Sequence, residues 1–157
     1  MSLTHLHLML NHVPVIGLII GIGLLGLAIA MKKSDLAKAS LGLFVILGIT
    51  SIVVYLTGES AEEAVENVAG FSEAITERHE EFALVATVVI GMLAAMSFGV
   101  LALFRKKPLP RWITLSSFVL ALITSGFMGY TAMLGGQVRH TEIRPDVAST
   151  VSETDPD

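Results

Sequence analysis

Cysteine is absent from this 157-residue sequence, and charged side chains are scarce. Without thiols the chain can form no disulfide, no thiolate metal site, no iron–sulfur cluster and no covalent c-type haem attachment. Charged residues make up 15% of the chain, whereas soluble proteins contain about 25%. Apolar residues make up 53%. Because so few charges cannot cover a water-facing surface, the composition predicts a membrane protein in contact with a lipid bilayer.

The sequence also lacks the signatures of nucleic-acid binding and of catalysis. The net charge is −4, and there is no basic stripe that could neutralise nucleic-acid phosphates. No phosphate loop, no serine–histidine–acid order and no paired catalytic carboxylates stand out. These absences argue against a nucleic acid as partner, and they favour an electron-transfer or accessory protein over an enzyme.

Four long stretches contain no Lys, Arg, Asp or Glu: residues 13–31, 39–57, 82–104 and 112–134. A hydrocarbon core about 30 Å thick is crossed by about 20 helical residues, and a helix satisfies its own backbone polar groups. Short connections between the first and second stretches, and between the third and fourth, force antiparallel neighbours. The predicted fold class is therefore an all-α membrane protein, an antiparallel bundle of four transmembrane helices.

The basic residues indicate which side of the membrane each connection faces. Seven of the ten lie in the two short connections, between the first and second spans and between the third and fourth. By the positive-inside rule these connections are cytoplasmic, so both termini lie outside. The sequence has no basic n-region of a signal peptide, so the first apolar run is expected to be a retained span. We therefore expect a multi-pass membrane protein with both termini on the outer side of the membrane.

The outer connection, residues 58–81, predicts a short interfacial helical lid. Gly58 is expected to end the second span in a left-handed C-cap, and Ser60 with Glu63 forms a capping box that opens a helix. One face of this helix is apolar: Ala61, Ala64, Val65 and Val68. Gly70 is expected to break it. The four-helix domain is predicted to cover residues 1–140, and the polar, acidic residues 141–157 have the composition of a disordered tail.

A second helix is expected to begin near Ser72 and to run directly into the third span. Four of its residues share a face at helical spacing: Ile75, His79, Phe82 and Ala86. The glutamates of the segment point elsewhere, so His79 is predicted to face inward among apolar neighbours.

Glycines inside the apolar runs have two interpretations. The segment Gly21-Ile22-Gly23-Leu24-Leu25-Gly26 matches a dinucleotide-binding fingerprint, but that motif needs a preceding strand, which a membrane span cannot supply. Small residues four apart, Gly17-x-x-x-Gly21 and Gly91-x-x-x-Ala95, instead predict close approach between helices.

All five histidines are predicted to lie at the outer end: His5, His7, His12, His79 and His140. His12 begins the first span, His79 begins the third and His140 follows the fourth, so three helices deliver an imidazole to one level. If the start of the chain is helical, His5, Met9 and His12 share a face, whereas His7 does not. Such a cluster suits haem or metal ligation, proton handling, or both.

The leading hypothesis is a b-type haem near the outer face, with His12 as one axial ligand and His79 or His140 as the other. Arg139 or Arg144 would pair with the haem propionates. Three glutamates are candidate acceptors for the ligands' second ring nitrogen: Glu59, Glu80 and Glu81. No histidine lies on the inner side, which argues against a transmembrane two-haem cytochrome. One haem at one face would exchange electrons with quinone or with outer redox subunits of a larger respiratory complex.

Two alternatives remain open from the residues. One is a non-haem iron, copper or zinc protein with a metal held by His12, His79 and His140, with Glu80 as a further ligand. The other is a cofactor-free accessory subunit of a membrane complex.

The opening segment His7-x4-His12-Val13-Pro14 resembles the start of a bacterial four-helix membrane family, the domain of unknown function numbered 2231. Three further features are similar to that family's pattern: Thr57-Gly58, His79 and Gly135-Gly136-Gln137-Val138-Arg139-His140. The likeness covers residues 7 to about 144. It implies a location in the bacterial plasma membrane, where the outer side of the bundle is the periplasmic side. It implies that His7, His12, His79 and His140 are the family's histidines, and it implies a redox setting because members often accompany haem or respiratory proteins. Leu8 stands where proline commonly follows the first histidine of the family.

Overall fold

The computed structural model describes residues 2–144. The regular structure of this part of the chain is all helical, with no strand. The segments in chain order are α1 (Leu3–Leu10), α2 (His12–Met31), α3 (Ser34–Leu56), α4 (Gly58–Glu63), α5 (Glu73–Leu103), α6 (Arg111–Arg139) and a 3₁₀ turn (Thr141–Ile143). Four stretches are long and apolar enough to cross a membrane: Leu3–Met31, Ser34–Leu56, Glu73–Leu103 and Arg111–Arg139. The predicted all-helical class with four candidate spans is confirmed.

The four long helices pack in a ring, α2 against α3, α3 against α5, α5 against α6 and α6 back against α2. Their shared core is mainly apolar and also buries small hydroxyl side chains such as Ser40 and Thr124. Its largest fully buried apolar side chains belong to α2, α3 and α5: Leu18, Leu25, Leu41, Phe44, Leu47, Ile90 and Leu93. The outer surface is apolar as well, with large exposed side chains such as Ile46, Phe98 and Trp112. A surface of this kind matches contact with lipid rather than with water.

Small residues set the spacing of the ring, although only some of the predicted ones do so. A Cβ on Gly21 would overlap the ring of Phe44, and a Cβ on Gly48 would overlap Ala94. Gly21 is therefore a packing residue inside α2, as predicted. The prediction for Gly91 is wrong, because a side chain there would meet nothing within 4 Å. The close approach on α5 falls at Ala94, one residue before the predicted Ala95.

The helices α5 and α6 are longer than the uncharged runs that predicted them, because charged residues at their ends are also helical. The helix α5 begins at Glu73 with Ser72 at its N-cap, which confirms that it runs directly into the third span. The helix α6 continues to Arg139. Beyond it, Thr141–Ile143 forms a 3₁₀ turn and Arg144 is buried, so ordered structure extends past the boundary predicted at 140. The rest of the predicted tail lies outside the described residues.

The connection between α3 and α5 contains a shorter helix than predicted. Gly58 starts α4 and has no left-handed backbone, because the Thr57 hydroxyl already donates to the Val53 and Val54 carbonyls that end α3. The expected capping box is wrong, because α4 begins at Gly58 and Ser60 lies inside it rather than at its N-cap. The helix stops at Glu63, so the predicted apolar stripe does not continue as helix. Among residues 2–144 the glycine with positive φ is Gly70, at +86°, which breaks the segment where predicted.

The ring has two chemically different ends. The basic end comprises the α2–α3 connection at Lys32 and Lys33 and the α5–α6 connection at residues 104–110. These two connections are joined, because the Leu109 amide donates to the Ser34 hydroxyl at 2.8 Å. The histidine end comprises α1, α4, the start of α5 and the end of α6.

Candidate functional site at the histidine end

The N-terminal helix α1 lies over the end of α3 and against α4, rather than extending freely from α2. Pro14 has no N–H for the Leu10 carbonyl, and the helix is interrupted at Asn11 as expected one turn before a proline. The Thr4 hydroxyl donates to the Ser60 carbonyl at 2.8 Å and attaches α1 to α4. The half-buried residues of α1 include Thr4 and His7, one turn apart, so this face is the one that packs.

His7 is held against the last turn of α3. Its Nδ1 lies 3.0 Å from the Val54 carbonyl oxygen and 3.5 Å from the Thr57 hydroxyl oxygen. Gly58 leaves room beside the ring, since a Cβ there would lie 3.9 Å from Cε1 of His7. The start of α1 thus delivers an imidazole to the point where α3 ends.

His79 is held in the same way between α5 and α6. Its ring is half-buried, and its Nδ1 lies 3.1 Å from the Thr131 carbonyl oxygen. The Thr131 hydroxyl in turn donates to the Phe82 carbonyl at 3.1 Å, so two hydrogen bonds cross between the helices. The ring lies directly over Gly135, where a Cβ would come within 3.0 Å of Cε1. The predicted inward face of α5 is confirmed at this position.

These contacts fix the protonation pattern of both rings. A backbone carbonyl can only accept a hydrogen bond, so Nδ1 of His7 and Nδ1 of His79 must each carry the proton. In the neutral ring the lone pair then resides on Nε2, which is the arrangement found in metal-ligating histidines whose other nitrogen is bound by an outer-shell acceptor. This end therefore presents two imidazoles whose Nδ1 atoms are held by backbone carbonyls, His7 on α1 and His79 on α5.

The other predicted ligands are exposed. His12 begins α2, and its Nδ1 bonds to the neighbouring Asn11 side chain. His140 ends α6, and its Nδ1 lies 2.9 Å from Glu142 in a pair whose side chains are 60% and 68% exposed. His5 bonds to Ser2 at the exposed start of α1. Within the described range no three His, Asp or Glu side chains are grouped to hold a metal ion.

Neither predicted propionate partner contacts His7 or His79. Arg139 is exposed in the last turn of α6. Arg144 is 8% exposed, and its guanidinium donates to three backbone carbonyls: Gln137 at 2.9 Å, Gly70 at 2.8 Å and Val138 at 3.3 Å. It therefore caps the C-terminus of α6 and holds the α4–α5 connection against it.

The glutamates do not accept hydrogen bonds from His7 and His79 as predicted, because backbone carbonyls bind Nδ1 of both rings. Glu80 instead shares a hydrogen bond with Glu62, across the α4–α5 connection. This bond, followed by partial burial and by repulsion from Glu80, Glu66 and Glu59, raises the pKa of Glu62 to about 7. The carboxyl groups of Glu62, on α4, and Glu80, near the start of α5, therefore lie close together.

Comparison of the chain with models of protein families, with curated proteins and with solved structures finds no match. The resemblance of His7-x4-His12-Val13-Pro14 to a bacterial membrane family stays a prediction.

Proposed function

We propose that this protein is a multi-pass protein of the bacterial plasma membrane that binds one b-type haem at the histidine end, with His79 and His7 as the axial ligands. Bound there, haem would supply one-electron transfer. The observation that carries the proposal is the pair of Nδ1–H···O=C contacts, 3.1 Å to Thr131 and 3.0 Å to Val54, which leave both Nε2 atoms free to ligate.

The number of oriented imidazoles favours haem over a non-haem metal ion. Haem iron is complete with two axial protein ligands, whereas protein sites for zinc and related ions use three or four side chains. The part of the chain that the structure describes has no group of three such side chains. A two-ligand site on α1 and α5 therefore fits the donor set that is present.

The proposed architecture is an antiparallel bundle in which α1, α4 and the α4–α5 connection form a lid over the histidine end. Two contacts support the lid: Thr4 to the Ser60 carbonyl, and Arg144 to the Gly70 carbonyl. The cationic connections are placed in the cytoplasm by the positive-inside rule, and the histidine end is placed on the periplasmic side. One haem at this end would exchange electrons with quinone or with a periplasmic redox subunit, since about 30 Å of hydrocarbon separates it from the opposite face.

The test is the cofactor content of the full-length protein purified from bacterial membranes. Extraction into alkaline pyridine is expected to give one haem b per chain, and the dithionite-reduced protein is expected to show a haem α-band. Stoichiometric iron, copper or zinc without porphyrin, or a protein free of any cofactor, would contradict the proposal.

A further inference from the structure

The basic end contains a cavity of about 260 Å³ between the ends of α2, α3 and α6. Three cations line it: Lys32, Lys33 and Arg111. Its remaining lining is small or apolar and includes Ala28, Ala37 and Leu109, which belong to or pack against the core. The cavity is smaller than the range of about 300–1,000 Å³ typical of drug-sized ligands, so it suits a compact group.

The backbone that presents Lys32 is unusual. The Lys33 amide donates to the Ala28 carbonyl at 3.0 Å and the Lys32 amide to the Ile29 carbonyl at 3.3 Å, which is the bonding of a Schellman C-cap. Lys32 occupies its left-handed position with φ 54°, where glycine is the usual residue. A long cationic side chain therefore stands where the backbone alone would favour glycine.

The opposite wall is formed by the α5–α6 connection. Pro108 and Leu109 line the cavity, and the Leu109 amide is fixed to the Ser34 hydroxyl at the start of α3. Arg111 begins α6 directly after Pro110. The position of the third cation is thus set by a short connection that is tied to α3 and contains two prolines.

The charge around the cavity is not compensated locally. Across residues 2–144, none of the three cations forms an ion pair with a carboxylate. Asp35 is the single acid between residues 27 and 58, and residues 82–141 contain none. The helices α3 and α6 both begin here without a side-chain cap, which adds the positive ends of two helix dipoles to the field.

We propose that this cavity, named here the basic pocket, binds a phosphate group through Lys32, Lys33 and Arg111. Cations bind phosphate by charge-assisted hydrogen bonds, and basic pockets between membrane helices take up the head groups of anionic lipids. The phosphate is that of an anionic phospholipid or of a soluble phosphate compound, and the apolar floor matches the glycerol end of a lipid. The proposal is independent of the haem proposed at the other end.

The test compares variants that remove one charge inside or outside the basic pocket. Lys32→Gly removes a cation and at the same time places glycine in the left-handed position, so the C-cap of α2 is kept. Arg111→Gln removes a second lining cation without a change of that cap. Lys106→Gln is the matched control, because Lys106 is an exposed cation of the same end that does not line the pocket.

Binding is measured with the full-length protein in a neutral detergent, titrated with dioctanoyl phosphatidylglycerol, with inorganic phosphate and with dioctanoylglycerol as the phosphate-free ligand. Each cation near an anionic lipid contributes on the order of fivefold in affinity, so Lys32→Gly and Arg111→Gln are each expected to weaken binding about fivefold relative to Lys106→Gln. Saturable binding of the lipid alone assigns a lipid head group, and binding of inorganic phosphate as well assigns a free phosphate group. No saturable binding of either ligand, equal binding of dioctanoylglycerol, or equal losses in all three variants would overturn the proposal.

Discussion

Gly135→Ala is the substitution that most directly disturbs the orientation of His79. The new Cβ would lie 3.0 Å from Cε1 of the ring, closer than ordinary van der Waals contact, which begins at about 3.4 Å. The ring must therefore retreat by a few tenths of an ångström. Its Nδ1 already lies 3.1 Å from the Thr131 carbonyl, so this shift takes the hydrogen bond beyond its normal length.

The expected magnitude follows from that bond. A hydrogen bond contributes about 0.5–1.5 kcal/mol net, which corresponds to about a 2- to 12-fold change in an equilibrium constant. Alanine in place of a helical glycine has an opposite effect of about 0.5–1 kcal/mol. Gly136→Ala isolates this gain, because its Cβ would meet Ile143 at an ordinary 3.5 Å. Gly135→Ala is therefore expected to be less stable than Gly136→Ala by about 0.5–1.5 kcal/mol.

Two assays in mixed micelles test the expected effects of Gly135→Ala on stability and on the His79 tautomer. Unfolding by sodium dodecyl sulphate gives the difference in the free energy of unfolding between the two alanine variants. Nitrogen-15 spectra of the imidazole report the tautomer of His79, which is expected to be Nδ1–H in the wild type and a mixture in Gly135→Ala. Equal stability of the two variants, together with an unchanged Nδ1–H spectrum, would refute the account of this site.

Three further predictions concern the lid and the packing of the ring. The pKa of Glu62 is raised to about 7, so near that pH the folded state binds more protons than the unfolded state. The lid is therefore expected to loosen as the pH rises through 7, and Glu62→Gln is expected to abolish this pH dependence. Arg144→Gln is expected to release the lid at Gly70 and to lower the free energy of unfolding by about 1.5–3 kcal/mol, since charge-assisted hydrogen bonds are lost. Gly48→Ala is expected to cost about 1–3 kcal/mol, because the new methyl overlaps Ala94.

The chain has no cysteine, so Asn67→Cys, in the exposed α4–α5 connection, carries a single nitroxide label whose mobility reports the lid. A label equally mobile at pH 5.5 and pH 8 would contradict the role of Glu62. For Arg144 the matched control is the exposed Arg139→Gln, expected within about 0.5 kcal/mol of the wild type. For Gly48 it is Gly42→Ala in the same helix, where the Cβ would meet nothing within 4 Å. Losses equal to those of the controls would refute both predictions.

The long helices and the inward face of α5 were predictable because their causes are local. An uncharged run of about 20 residues has few alternatives to a membrane helix, and helical spacing alone puts His79 beside Ala86. The packed face of α1 was not predicted, since the shared face of His5, Met9 and His12 says nothing about what lies across from it. The face that packs contains Thr4 and His7, and the available signal was a polar Thr4 one turn before His7.

The acceptors at the histidine end could not be read from side-chain identities. Backbone carbonyls have no signature in sequence, so glutamates were the apparent partners for the imidazoles, whereas Val54 and Thr131 supply carbonyl oxygens. The clamp of Arg144 on Gly70 joins positions 74 residues apart, and only tertiary packing brings them together. Likewise, the Thr57 hydroxyl replaced the expected glycine cap by satisfying the carbonyls at the end of α3.

The central claim is that His79 and His7 ligate a haem, and reduced-minus-oxidised spectra of membranes that contain each histidine variant test it most directly. His79→Ala and His7→Ala are expected to lose the haem α-band, whereas His12→Ala and His140→Ala are expected to retain it at matched protein levels. A wild type without an α-band, or a His79→Ala variant that keeps it unchanged, would contradict the claim.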